Sequence, residues 1–77
     1  MARFYFDFEN GGSTIDQDAA EFPNVDAAKQ EAVATVGQCA MDRTRRGSEG
    51  RIIVVVRDDK GPVLEVTAIV ETKPVEK

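Results

Sequence analysis

The chain has 77 residues, with 14 acidic against 10 basic side chains and therefore a formal net charge of −4. Hydrophobic residues make up 42% and charged residues 31%, a composition typical of one small globular domain. With no histidine and a single cysteine, the composition excludes an internal disulfide framework and argues against the common zinc and Ser-His-Asp chemistries.

The sequence also carries no pattern of a membrane segment. No run approaches the roughly 18 consecutive apolar residues of a membrane-spanning helix. The opening MARFYFDFEN reaches acidic residues too early for a secretory signal, whose apolar region needs about 7–15 residues. We therefore expect a domain without membrane contact.

The first segment, Ala2–Phe8, alternates between two kinds of side chain. Three phenylalanines, Phe4, Phe6 and Phe8, fall on one face, and the intervening residues are mostly polar. A period of two with aromatic content predicts a half-buried β-strand.

A hairpin turn follows at Asn10 and Gly11, since Asn-Gly supplies the positive φ angles that such a turn needs. The return strand is predicted over Thr14–Gln17, with Ile15 as its one core candidate. A short polar strand suits a sheet edge, where it discourages unwanted pairing. Residues 18–23 are interpreted as a connection.

A helix is predicted between Asn24, as N-cap, and Gly47, which ends it. At about 100° per residue its apolar positions cluster on one side. These positions are Ala28, Ala32, Val36 and Cys39. Because this face is mostly small, we expect the helix to approach the sheet closely and the phenylalanines to fill the space between the layers.

Two further strands complete the predicted domain over residues 1–70. Arg51–Arg57 is the strongest strand signal in the chain, Asp58–Gly61 is a turn, and Pro62–Val70 is the fourth strand. Residues 71–77 have no pattern and are predicted to form a flexible C-terminal tail.

The order of elements is therefore ββαββ, which predicts an α+β fold of two layers. One helix lies on one face of a four-stranded, mainly antiparallel sheet. A right-handed return of the helix favours the sheet order 2-1-3-4. Pairing of the first strand with the fourth would satisfy the same alternation and stays open.

Several short motifs along the chain resemble a known family. They are Arg3-Phe4-Tyr5-Phe6, a glycine turn, Asp16, Glu21-Phe22-Pro23, the pair Ala28 and Ala32, Arg57-Asp58 and Gly61. Together they are similar to a family of short bacterial domains of unknown function with an aromatic-rich first strand. The resemblance covers roughly residues 2–66 and implies this fold and a bacterial, cytoplasmic setting, without an activity.

The sheet face turned away from the helix is unusually apolar for a solvated face. The residues predicted to face away from the helix are Tyr5, Ile53, Val55, Val63 and Ile69. A solvated face normally alternates to polar residues, and a patch of a few hundred Å² suggests an interaction surface. We expect these residues to form a protein interface, in the simplest case that of a homodimer. The alternative is a central strand made robust by β-branched residues, with polar neighbours screening the patch.

Arginines concentrate after the helix, where residues 43–57 hold five arginines and one glutamate. Arg43, Arg45, Arg46 and Arg51 are candidates for anion or nucleic-acid contacts. They support an alternative function, a small regulatory protein that contacts nucleic acid or an acidic partner, antitoxin-like only by analogy of fold. The acidic net charge argues against strong nucleic-acid binding.

The remaining polar groups do not predict catalysis. Asp16, Asp18 and Glu21 could form a divalent-metal site, but their spacing matches no calcium loop. Cys39 lies late in the predicted helix on its apolar side, far from the helix N-terminus, and the chain has no histidine that could activate its thiol. We predict a domain without enzymatic activity and without a cofactor.

Overall fold

The computed structural model describes residues 1–10 and 12–75, which form one helix and five strands. In chain order the elements are β1 (Ala2–Glu9), β2 (Ser13–Thr14), β3 (Ala20–Phe22), α1 (Val25–Arg45), β4 (Gly50–Asp58) and β5 (Gly61–Val70). The predicted α+β class, with one helix and an antiparallel sheet, is confirmed.

The strands lie in the order β2-β1-β4-β5, and β3 pairs with the free side of β1 beside β2. All pairings are antiparallel. The predicted third and fourth strands are β4 and β5, so the path corresponds to the favoured order, and β1 pairs with β4 rather than β5. The predicted count of four strands was wrong because the connection over residues 18–23 contains β3.

β2 is also shorter than the predicted return strand over residues 14–17. The interruption comes from Asp16, whose Oδ2 accepts a hydrogen bond from the Phe6 amide at 3.0 Å. That side chain occupies the place of a strand on this side of β1. Ile15, predicted as a core residue, is 65% exposed, because the pairing of β2 ends at Thr14 and the alternation ends with it.

The core lies between α1 and the sheet. Among the described residues it contains seven buried side chains, which are Phe4, Ala28, Ala32, Val36, Ile52, Val54 and Val56. Phe6, Phe8 and Cys39 pack against this cluster while remaining half-buried. The even-numbered positions of β4 thus face the helix, as the alternation predicts for a strand.

Both ends of α1 are capped as the sequence predicts. The Asn24 Oδ1 accepts a hydrogen bond from the Ala27 amide at 2.9 Å, and Asp26 lies in the first turn. At the other end, Gly47 has φ of 71°, and the amide of Ser48 donates to the carbonyl of Arg43 at 2.9 Å. This is the left-handed glycine termination that satisfies the last free carbonyls of a helix.

Hydrogen bonds hold Thr72, the second residue after β5. The amide and hydroxyl of Thr72 donate to the carboxylate of Glu49, at 2.7 and 3.0 Å. These two hydrogen bonds lower the pKa of Glu49. Residues 71–75 form no regular element, and the last part of the predicted flexible tail, residues 76–77, lies outside the described residues. Among the described residues, no helix has both the length and the apolarity needed to cross a bilayer.

Candidate functional site

The face of the sheet that is turned away from α1 contains the odd-numbered residues of β4. Ile53 and Val55 alternate with the buried residues Ile52, Val54 and Val56 and lie outside the core cluster. Both are half-buried although no described element covers this face. Successive side chains of a strand point to opposite faces, so this pair is the apolar centre of the open face.

The register places polar residues on both sides of this pair. Val55 lies between Asp7 on β1 and Glu65 on β5. Ile53 lies between Glu9 on β1 and Thr67 on β5. The half-burial of the two apolar side chains follows from these neighbours, since directly opposed residues on one face approach each other closely.

Ile69 extends the apolar surface along β5. It lies two residues beyond Thr67, which makes it a diagonal neighbour of Ile53, and it is 61% exposed. We call Ile53, Val55 and Ile69 the open-face stripe. They are the three interface candidates that the register brings together.

The other two candidates lie apart from the open-face stripe. Val63 is 38% exposed, but it lies at an irregularity where Val56 pairs with Leu64 and the next residue, Arg57, pairs with Pro62. The extra residue interrupts the alternation that would place Val63 on the open face. Tyr5 is half-buried because the guanidinium of Arg57 covers its ring, with Cζ 4.3 Å from the ring centre.

Arg57 also ties two acidic residues to the sheet in a network that the sequence analysis missed. Its Nε donates to Asp7 Oδ2 at 2.7 Å, and its Nη2 donates to the carbonyl of Asp16 at 2.9 Å. The amide of Asp16 in turn donates to Asp7 Oδ1 at 2.9 Å. The available signal was the pattern of opposite charges at odd positions of two strands that were predicted to be neighbours.

The network holds Asp7 in its charged form. Desolvation raises the pKa of Asp7, but the hydrogen bond and charge of Arg57 and the amide of Asp16 together outweigh it, and the pKa is lowered. The hydrogen bond to Asp7 also raises the pKa of Arg57. A salt bridge with side chains 28% and 21% exposed therefore occupies the β1 side of the open face.

The four candidate arginines do not form one cluster. Arg43 reaches back from the last turn of α1, and its Nε and Nη2 both donate to Asn10 Oδ1, the former at 2.9 Å. Its Nη1 donates to the carbonyl of Glu49 at 2.8 Å. Arg43 therefore joins the end of the helix to two turns through all three of its guanidinium nitrogens.

The other three candidate arginines are exposed and lie in two places. Arg45 and Arg46 lie at the end of α1, in the helical layer. Arg51 lies on β4 opposite Ile69, on the same face as Ile53. The structure thus divides the predicted arginine cluster between the two layers.

The three acidic residues considered for a metal are used differently. Asp16 accepts hydrogen bonds from the Phe6 and Asp18 amides, and Glu21 lies on β3 opposite Arg3. No group of three potential ligands for a metal is found in the described part of the chain. The carboxylate of Asp16 has a structural role, since it takes up a backbone amide of β1.

Cys39 is a free thiol in the part of the chain that the structure describes. It is half-buried on α1 and packs against the core cluster. This environment is typical of a small apolar packing residue.

The arrangement defines a class, an α+β domain with one helix on one face of an antiparallel sheet and an uncovered opposite face. A family model described as a domain of unknown function, DUF6894, matches residues 3–69. The chain belongs to this family. No curated protein and no solved structure matches the sequence.

Proposed function

We propose that this domain acts by association with another protein chain, in the simplest case a second copy of itself, and that the open-face stripe is the contact surface. One observation carries the proposal: Ile53 and Val55 lie on the face opposite α1, next to the exposed Ile69. A solvated antiparallel sheet normally presents polar residues on its outer face. We predict a non-catalytic role, and the cytoplasmic location implied by the sequence also stays a prediction.

The size of the domain supports the proposal. In the described part of the chain, the seven buried side chains include two alanines and a single aromatic ring. This core is small even for a domain of this length. Covering the stripe would bury further aliphatic surface, which gains about 25 cal/mol of free energy per Å² before the costs of association are subtracted. Small scaffolds commonly gain stability in this way.

The Asp7–Arg57 salt bridge suggests how such a contact would be oriented. It occupies the β1 side of the open face, where the guanidinium of Arg57 also covers the ring of Tyr5. A partner would therefore lie over the β4 and β5 side, where the stripe is. Polar groups around an apolar centre are the usual arrangement of an interface rim.

The test is Val55→Lys, examined by sedimentation velocity and light scattering over a concentration series. A lysine in the middle of a buried contact leaves a charge without a partner, so we expect association to weaken by at least about tenfold. Val33→Lys is the matched control, because Val33 is 49% exposed on α1, in the other layer. Circular dichroism on both variants checks that the fold is kept, and Val55→Thr is a milder substitution at the same position.

Equal masses for wild type, Val55→Lys and Val33→Lys at every concentration would contradict the proposal. The alternative function, contact with nucleic acid or an acidic partner through Arg45 and Arg46, predicts a different result. Binding to DNA or RNA would weaken steeply with salt and be lost in the double variant Arg45→Ala/Arg46→Ala.

A further inference from the structure

The two edges of the sheet differ in how well they are protected. On one edge, β1 is covered by the short strands β2 and β3, and Asp16 takes up the Phe6 amide between them. On the other edge, β5 extends over ten residues and, among the described strands, pairs with β4 alone. Short edge strands resist pairing with another chain, whereas a long free edge is a template for it.

β5 has little of its own to prevent such pairing. Its one charged residue is Glu65, near the middle of the strand. Pro62 and the irregularity beside Arg57 disturb only its beginning, and these are devices that blunt an edge. From Leu64 to Val70, the charge of Glu65 is the one feature of this kind.

The sequence of β5 is complementary to itself in one antiparallel register. If Val66 lies opposite Val66 of a second copy, Glu65 lies opposite Thr67 rather than another glutamate. Thr67 already donates its hydroxyl to Glu65 within one chain, at 3.1 Å, so these two side chains lie on the same face. Centring the pair on Glu65 instead would oppose two negative charges, which destabilises a cross-strand pair.

The same register matches the apolar residues. Leu64 and Ala68, both half-buried, lie opposite each other, and Ile69, which is 61% exposed, lies opposite the irregularity at Val63. A two-fold axis generates both copies of each pair at once, as a closed dimer requires. The register therefore places no aliphatic residue of β5 opposite a charged residue.

We propose that β5 pairs edge to edge with β5 of a second copy, antiparallel and centred on Val66, so that the two sheets become continuous. This interface goes beyond the proposed function, because it uses a backbone edge rather than the open face. The two share only the premise that the chain associates with itself, and they can fail separately.

A disulfide cross-link tests both the pairing and its register. In a Cys39→Ala background, Val66→Cys places two thiols directly opposite each other, where antiparallel Cα atoms lie about 4.5–5.5 Å apart. That separation is within the range a disulfide accepts. Under mild oxidation we expect Val66→Cys to give a covalent dimer, with most of the chain cross-linked at concentrations where the parent associates.

Ala68→Cys is the matched control, because Ala68 lies on the same face of β5 and is equally half-buried. In the proposed register its counterpart lies opposite Leu64, about four residues away along the strand, so the two thiols cannot meet. Equal cross-linking at both positions, or none at Val66, would overturn the proposal. Val55→Lys should leave the Val66 cross-link intact, which separates failure of this interface from failure of the open-face contact.

Charge at Thr67 gives a second readout that does not depend on cysteine. In the proposed register, Thr67→Lys opposes Glu65 with a positive charge twice per dimer and should tighten association about fivefold, whereas Thr67→Glu should weaken it by a similar factor. Thr14→Lys and Thr14→Glu are the controls, because they make the same change in net charge at an exposed residue of the opposite edge. If Thr67→Lys and Thr67→Glu change the dissociation constant in the same direction, the register is contradicted.

Discussion

Ala32→Leu is the most direct test of how closely α1 lies on the sheet. Ala32 is fully buried, one turn from Ala28, which is also fully buried, and these two residues face the layer formed by Val54 and its neighbours. An alanine at such a position lets the helix approach the strands closely. A leucine adds three carbon atoms to a space that the native packing already fills.

The expected cost follows from the size of this change. Overpacking a well-packed core destabilises by about 1–3 kcal/mol. A domain of this length has a free energy of unfolding of about 4–12 kcal/mol, at 0.05–0.15 kcal/mol per residue. A loss of about 2 kcal/mol therefore lowers the melting temperature by about 8–16 °C, since each kcal/mol corresponds to roughly 4–8 °C in a domain of this size.

Thermal and urea denaturation, followed by circular dichroism, measure the effect. The control is Ala34→Leu, because Ala34 is exposed on the same helix and leucine is almost as good a helix former as alanine. We expect this control to change stability by less than about 0.5 kcal/mol. If Ala32→Leu melts at the wild-type temperature, the two layers leave room for a leucine, and the close approach of α1 to the sheet is refuted.

Two further substitutions test the polar contacts. Folding lowers the pKa of Asp7 from its ordinary 3.8, so the stability that Asp7 contributes is present above about pH 4 and is lost as the pH falls through the lower folded value. The urea midpoint should therefore fall more between pH 6 and pH 2.5 for wild type than for Asp7→Asn, and an equal fall for both proteins would refute this. Gly50 has φ of 137°, and a Cβ there would lie 2.8 Å from Nη1 of Arg43, so Gly50→Ala should cost about 1–3 kcal/mol in backbone strain and displace the guanidinium. Urea denaturation measures that cost, and wild-type stability for Gly50→Ala would contradict it.

Local signals in the sequence were sufficient to predict most of the fold. The alternation of β1 and β4 assigned Phe4, Ile52 and Val54 to the helix side because side-chain direction in a strand is set by parity alone. Asn24 and Gly47 bounded the helix because capping depends on neighbouring backbone groups. Such features need no information about distant parts of the chain.

The errors lie where distant residues decide the outcome. Ala20–Phe22 has little strand character of its own and becomes β3 through pairing with the start of β1. Asp16 shortens β2 because its carboxylate reaches the Phe6 amide, ten residues away. The hydrogen bond from the Arg43 guanidinium to Asn10, which is 33 residues earlier in the chain, was not predicted either. The periodicity of a short segment does not predict contacts with residues that are distant in the sequence.

The candidate surfaces converge on one side of the molecule for a physical reason. On the β1 side, Asp16 accepts the Phe6 amide, Arg57 donates to the carbonyl of Asp16, and β2 and β3 pair with β1. On the β5 side, the open-face stripe and the unpaired edge lie next to each other, because Ile69 belongs to both. Edge pairing centred on Val66 would make the two sheets continuous and place the open-face stripes of both chains on the same face. A partner bound to the open face would then contact a larger apolar surface than one chain provides, so the edge contact should strengthen the open-face contact even though the two use different groups.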